Sequence, residues 1–186
     1  MISDPDLAHR CKNLAEYYNA LFVLQARAHG VEYLKAHEEI TRRMEGCDRY
    51  TEFGVNQGTT LAAAMLYSRV KTVRAYDLDL TPFHPARRLF DQCAMENGIH
   101  WLVIEQDTLK AEIEPTDVLY IDSRHKGPHL TGELQRHGAK VKKHIICHDT
   151  YSARDLYKAA TQYAAKNGWQ VVTDCRQNTG FMTLSR

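Results

Sequence analysis

The run Tyr50-Thr51-Glu52-Phe53-Gly54-Val55-Asn56-Gln57-Gly58-Thr59-Thr60-Leu61 constrains this chain more than any other stretch. A β-prone segment passes through an acid into a glycine-spaced turn, and helix-prone Ala62-Ala63-Ala64-Met65-Leu66 follows at once. Strand, tight turn and helix in that order build the crevice where open α/β sheets hold nucleoside-containing ligands. The dinucleotide fingerprint Gly-x-Gly-x-x-Gly would need glycines at 56 and 59, where the chain has Asn56 and Thr59. The pattern present is Glu52-x-Gly54-x-Asn56-x-Gly58. Asn enters the left-handed backbone region more readily than most residues, so Asn56 can serve in such a turn.

From residue 49 the pattern alternates. Strands are expected at 49–53, 71–76, 100–105, 117–121, 143–148 and 169–174, with helices near 59–68, 85–97, 128–139 and 153–167. Asn97-Gly98 and Asn167-Gly168 read as helix stops. This is the signature of an α/β fold, a mostly parallel sheet with helices on both faces. Two β-rich runs flank Arg176-Gln177-Asn178 with no room for a helix, so a C-terminal hairpin should end the sheet with one antiparallel strand. Ahead of the sheet, Ser3 can cap a helix whose stripe is Leu7, Cys11, Leu14, Tyr18 and Leu21. Gly30 stops it, and Tyr33, His37, Ile40 and Met44 mark a second helix ending at Gly46. Residues 1–46 are thus an N-terminal helical extension, able to pack on the sheet or to cover a site. Residues 47–186 are the α/β core, and the whole is expected to be one domain, as its 186 residues suit.

A net charge of +1 gives no general attraction to nucleic acid or membrane. The five cysteines are scattered and form no Cys-x-x-Cys pair, which suits free thiols in a reducing cytoplasm. No signal peptide or bilayer-spanning run is evident.

Asp77 ends the strand Thr72-Val73-Arg74-Ala75-Tyr76-Asp77. It follows Gly54 at about the 20-residue interval at which an acid reaches a ribose diol, with Asp79 as a competitor. Two further runs end in polar groups: Val118-Leu119-Tyr120-Ile121-Asp122, then Ser123-Arg124-His125, and Ile145-Ile146-Cys147-His148-Asp149-Thr150. If these are neighbouring strands, about 4.8 Å apart, Asp122 and Asp149 face one crevice with His125 and His148 nearby. Either imidazole is a candidate general base. Arg124, His129 and Tyr151 flank the same edge as candidate acceptor contacts.

Glu52-x-Gly54-x-Asn56-x-Gly58 resembles the acidic-x-Gly-x-Gly-x-Gly motif of class I S-adenosylmethionine (SAM) methyltransferases. Together with Ile121-Asp122-x-x-His125 and His148-Asp149-Thr150, it resembles the family that includes cephalosporin-hydroxylase-like and macrocin O-methyltransferase-like proteins. The likeness spans about Glu52 to Asp149, and Asn178-x-Gly180 also looks similar. It implies a Rossmann-like methyltransferase sheet and SAM as cofactor. It places Glu52 near the methionine part, Gly54, Asn56 and Gly58 against the ligand, and Asp107 near the adenine amino group. It further implies a divalent metal, Mg²⁺ or Mn²⁺, on Asp122 and Asp149, with His125 as ligand or base. Thr150 stands where some metal-dependent members place Asp or Asn.

The expected reaction is O-methylation of a small-molecule, sugar or nucleotide-like acceptor. Nucleic-acid methylation is disfavoured, since the Asn/Asp-Pro-Pro-Tyr and Pro-Cys motifs are absent. The competing reading is a SAM-binding module without turnover. A homodimer through the N-terminal helices is a further expectation.

Overall fold

The protein is described by a computed structural model covering residues 6–186; Ser3 lies outside the described residues. The elements run α1 (Leu7–Arg10), α2 (Leu14–His29), a 3-10 turn (Val31–Leu34), α3 (Lys35–Arg43), β1 (Arg49–Phe53), α4 (Thr59–Tyr67), β2 (Thr72–Asp77) and α5 (Arg87–Asn97). They continue with β3 (His100–Glu105), β4 (Thr116–Ile121), α6 (Gly127–His137), β5 (Val141–His148), α7 (Arg154–Asn167), β6 (Gln170–Cys175) and β7 (Phe181–Ser185).

The strands form one sheet of order β3-β2-β1-β4-β5-β7-β6. The chain steps from β1 outward to β2 and β3, then returns to place β4 on the other side of β1. The reversal opens a crevice between the C-terminal ends of β1 and β4, the position at which open α/β sheets bind ligands. The five strands β3 to β5 are mutually parallel, and β7 is antiparallel to both its neighbours. The hairpin expectation holds, with one refinement. β7, last in the chain, inserts between β5 and β6, leaving β6 at the edge.

Period-2 alternation sorts the strand residues onto two cores. Tyr50, Val73, Ala75, Val118, Tyr120 and Ile146 face α2 to α5. Phe53, Leu119, Ile121, Ile145, Cys147 and Leu184 face α6 and α7. All five cysteines are free thiols. Among the described residues no helix is long and apolar enough to cross a membrane.

The single N-terminal helix read from the sequence is two. The chain leaves α1 at Cys11 in extended backbone and restarts at Asn13, whose side chain accepts the Glu16 N–H at 2.9 Å. Glu16 reaches back to accept from the Lys12 N–H at 2.8 Å. That reciprocal capping satisfies donors which a continuous helix would have paired internally. Leu7, Leu14, Tyr18 and Leu21 are buried regardless, so the apolar stripe survives the break.

These helices lie against the glycine turn. Tyr17 Oη donates to Gln57 O at 3.1 Å, and Gln25 Nε2 to Thr59 Oγ1 at 3.1 Å. On α3, buried Glu39 accepts from Arg43 Nε at 2.8 Å, Thr183 Oγ1 at 2.7 Å and Thr173 Oγ1 at 3.0 Å, joining the helix to β6 and β7. The β6–β7 tip closes on the α2 exit. Asn178 donates to the His29 carbonyl and Lys35 to Gln177, while Thr179 O accepts from Tyr151 N–H at 3.0 Å.

Asn13→Ala removes the α2 cap and is expected to lower stability by about 1 kcal/mol. Urea unfolding with an unchanged m-value would show this. A loss below about 0.3 kcal/mol would mean that packing alone sets the α2 start.

Candidate functional site

The turn after β1 is held by geometry that few residues tolerate. Gly54 has φ +87°, and a Cβ there would lie 2.1 Å from the Asp122 carbonyl oxygen. Asn56 takes the left-handed conformation, φ +48°, so it meets the demand of the position where the motif's middle glycine would stand. Asp77 fastens the turn from β2. Its Oδ2 accepts the N–H of Val55 at 2.6 Å and of Asn56 at 3.0 Å.

Beside this turn is a cavity of about 790 Å³. Gly54, Asn56, Asp77, Asp107, Asp122, His125, His148 and Asp149 all line it, as do Asp79, Arg124 and His129. Asp107 fixes its own loop by accepting the Leu109 N–H at 2.9 Å.

Two expected ligand contacts are placed elsewhere. Gly58, φ +80°, caps α4; a Cβ there would meet Phe90 Cζ at 2.8 Å and Phe83 Cε2 at 3.0 Å. It therefore leaves no room for a side chain against Phe83 and Phe90, and it does not line the cavity. Glu52 is fully buried and accepts from Tyr50 Oη at 2.6 Å and Thr60 Oγ1 at 2.8 Å. Burial pushes its carboxyl up to about 8. It reaches the cavity only through Thr60, which does line it. Tyr151 is exposed and does not line the cavity; its Cβ lies beside Gly180.

At the ends of β4 and β5 two acids and two imidazoles meet. His125 Nε2 lies 3.2 Å from Asp122 Oδ1 and 2.9 Å from Asp149 Oδ2. His148 Nδ1 lies 3.4 Å from Asp122 Oδ1 and 3.2 Å from Asp149 Oδ1. Hydrogen bonds that His125 donates to Asp122 and then to Asp149 raise it to about 10. For His148, burial opposes the charge, but the two carboxylates prevail and raise it to about 10. Burial likewise opposes ionisation of Asp122 and Asp149, yet the imidazoles hold both carboxyls below the usual range. Asp149 also sits at φ +58°, a conformation non-glycine residues seldom keep unless the surroundings enforce it.

The set suits a cation. Asp122, His148 and Asp149 each offer one donor atom, and the three lie within 4.8 Å of one another. His148 Nδ1 is buried without a hydrogen bond of acceptable geometry, and an orphaned imidazole nitrogen facing two carboxylates matches a ligating role. His148, expected as a base, thus also offers a donor atom to this set. Thr150 is buried with its Oγ1 unpaired and does not line the cavity.

Tyr33 was legible in the sequence only as a packing position. Its ring stands perpendicular to His148 with centroids 5.7 Å apart, and it lines the cavity with Gln25, His29 and His37. Burial, then Asp122 and Asp149, push its phenol to about 12. The N-terminal helices thus wall the site. The Gly30 stop, φ +85°, turns the chain so that this wall faces the cluster.

No protein-family model matches the chain, and no curated protein matches it. Solved structures do. An SAH-bound methyltransferase of Podospora anserina aligns with TM-score 0.66 over 98% of this chain and 88% of its own, at 14% identity. The chain has a Rossmann-like methyltransferase fold. A methyltransferase from Geobacter sulfurreducens gives TM-score 0.64 over 100% of this chain and 91% of its own, at 14% identity. A putative caffeoyl-CoA O-methyltransferase from Staphylococcus aureus gives 0.64 over 91% and 98%, at 12% identity. At such identities the methyltransferase fold is what is shared.

The cluster sets a pH response in metal-free protein. His125 gains its charged form on folding, so its stabilisation is complete below about 6.5, its free value, and fades as pH rises towards about 10. The depressed Asp149 acts oppositely, stabilising above 3.8 and fading as pH falls below it. In EDTA, scanning fluorimetry should show the advantage of the native protein over His125→Ala shrinking between pH 7 and 10. A constant difference would disprove the pairing.

Proposed function

We propose that this chain is a SAM-dependent methyltransferase that methylates a hydroxyl oxygen of a small, sugar or nucleotide-like acceptor with the aid of a divalent cation. The observation that carries this is the shared cavity. The nucleoside-type turn of Gly54, Asn56 and Asp77 and the Asp122–His125–His148–Asp149 cluster open into one space. The fold neighbours support methyl transfer as the chemistry, and the SAH-bound one supports the cofactor.

The residues divide the work by position. Asp77 meets the ribose diol with the carboxylate that also fixes the turn. Gly54 and Asn56 bring backbone against the ligand, and Asp107 borders its base end. Asp122, Asp149 and His148 would hold the cation; two carboxylates and one imidazole suit Mn²⁺ at least as well as Mg²⁺. Bound there, the cation would lower the pKa of an acceptor hydroxyl and fix its position. Asp122 and Asp149 favour the charged form of His125, which has no lone pair with which to accept a proton. This favours the cation reading over His125 or His148 as an unaided base. Tyr33 and the α2 exit exclude water from the acceptor side.

The near-neutral charge argues against the nucleic-acid alternative, although fold neighbours include a tRNA methyltransferase from B. subtilis and a small RNA methyltransferase. Calorimetry with SAM, with and without Mn²⁺, tests the reading. Asp77→Asn should weaken SAM binding about tenfold or more, since it removes a charged acceptor worth about 1.5–3 kcal/mol. Asp122→Ala should abolish turnover and leave SAM affinity within about threefold. Absence of SAM binding to the native chain would refute the proposal, as would the reverse pattern in the two variants.

A further inference from the structure

The end of the cavity at β4 and β5 carries one cation more than its acids balance. Asp122 and Asp149 are matched by His125 and His148. Arg124 lines the same cavity, is exposed, and makes no side-chain hydrogen bond or ion pair among the described residues. The other end is acidic, with Asp77, Asp79 and Asp107 on its wall. The cavity is therefore bipolar. A cationic cofactor suits the acidic end, and an anion is drawn to the end that holds Arg124.

Two further cations stand beside Arg124. The Lys126 N–H donates to the Arg124 carbonyl at 2.7 Å, so the chain turns tightly between them. α6 then begins at Gly127, pressed against the start of α7. The Gly127 N–H donates to Asp155 Oδ2 at 2.6 Å, and a Cβ on Gly127 would lie 2.9 Å from the Asp155 carbonyl oxygen. That contact sets Lys126 and Arg154, the residues just before each partner, on one rim. Both are exposed and, like Arg124, make no side-chain hydrogen bond or ion pair among the described residues.

The carboxylate between them is already engaged. Asp155 accepts the N–H groups of Gly127 and, at 3.1 Å, Leu156. The Gly127 N–H, with a smaller effect from the Lys126 charge, holds its carboxyl below the usual range, which puts Lys126 within electrostatic reach of the first turn of α7. Asp155 offsets one of the three cations at most. Three cations suit a group with more than one negative charge and several acceptor oxygens, a description that fits phosphate better than carboxylate. A nucleic-acid strand would call for a longer basic track, and the chain's net charge is only +1.

We infer that the acceptor is a small phosphorylated sugar whose phosphate is held at this rim by Arg124, Lys126 and Arg154 while its hydroxyl meets the Asp122–Asp149 end. This rests on the methyl-transfer reading above. Arg124 stands two residues from Asp122, a span of at most about 7 Å, so the phosphate and the reacting hydroxyl belong to one sugar unit. The three cations are specificity residues. They select the acceptor by its charge and leave the cofactor to the acidic end.

Calorimetric titration of the full chain with pyrophosphate, in EDTA so that no divalent cation bridges it, tests this with and without S-adenosylhomocysteine. Pyrophosphate should bind saturably in both cases. Arg124→Gln should weaken it about tenfold or more, as should Lys126→Gln combined with Arg154→Gln, the scale of a lost charged hydrogen bond. All three side chains are exposed, so the melting temperature and the affinity for S-adenosylhomocysteine should remain near native. Ribose 5-phosphate should displace pyrophosphate, and ribose should not. Absence of saturable pyrophosphate binding overturns the inference. So does citrate binding as tightly as pyrophosphate, or a short RNA oligonucleotide binding more tightly than ribose 5-phosphate. A loss of S-adenosylhomocysteine affinity in Arg124→Gln would assign the arginine to the cofactor's carboxylate and overturn it too. If pyrophosphate binds but S-adenosylhomocysteine does not, the methyl-transfer reading fails and the acceptor role fails with it. If S-adenosylhomocysteine binds and pyrophosphate does not, only the phosphate rim is lost.

Discussion

Gly54 and the Asp122 carbonyl occupy space that admits no side chain between them. The 2.1 Å that a Cβ would leave makes this a contact of backbone on backbone, at the point where the sheet reverses direction. Everything at the site depends on it. The close approach brings the turn after β1 against the loop after β4, so the turn residues and the acid–imidazole cluster share one cavity. Asp122 N–H donating to Phe53 O at 2.8 Å and Gly54 N–H donating to Tyr76 O at 2.9 Å extend the ladder on both sides of the gap. The turn is therefore pinned to β2 and β4 at once. Asp77 adds the third tie from its carboxylate, which means that one residue both shapes the turn and lines the cavity.

Charge is arranged along this edge with economy. Buried Glu52 sits below the turn with its carboxyl raised towards neutrality, so no anion adds to Asp77 and Asp122 from beneath. Asp122 and Asp149 instead remain ionised because His125 and His148 stand against them. Two positive and two negative groups balance within one small volume, at the strained backbone of Asp149. Such a cluster is stable as it stands, yet it contains the donors that a cation would take in exchange for imidazolium protons.

Much of this was legible in the sequence because it depends on local pattern. The run 49–53 is β1 residue for residue, and apolar stretches ending in acids located the polar edge that lines the cavity, since buried parallel strands must be apolar until they reach solvent. Gly54, Asn56, Asp77, Asp107, Asp122, His125, His148 and Asp149 come together as their positions implied. What escaped was decided by tertiary contact. Leu7, Leu14, Tyr18 and Leu21 keep helical spacing across a break that only the Asn13–Glu16 cap reveals. Gly58 shares the motif's spacing, but Phe83 and Phe90, distant in sequence, set its role. Tyr33 read as one more core position, and whether an aromatic faces a core or a cavity depends on how its helix is rolled. Buried Glu133 escaped because Thr108 and Ser123, which donate to it, come from the loops after β3 and β4, and only His129, one turn before it on α6, is local.

The clasp between the β6–β7 tip and the exit of α2 joins the two ends of the polypeptide. Asn178 reaches the His29 carbonyl and Lys35 reaches Gln177, so the wall that carries Tyr33 is secured by residues almost the whole chain away. Contacts of such long sequence separation bear the largest loop-closure entropy and gain support only once the intervening sheet exists. The Tyr33 side of the cavity accordingly depends on contacts that gain support only with the sheet in place. A partly unfolded chain that loses this clasp can keep its glycine turn and its acid–imidazole cluster while the cavity beside them stands open to water.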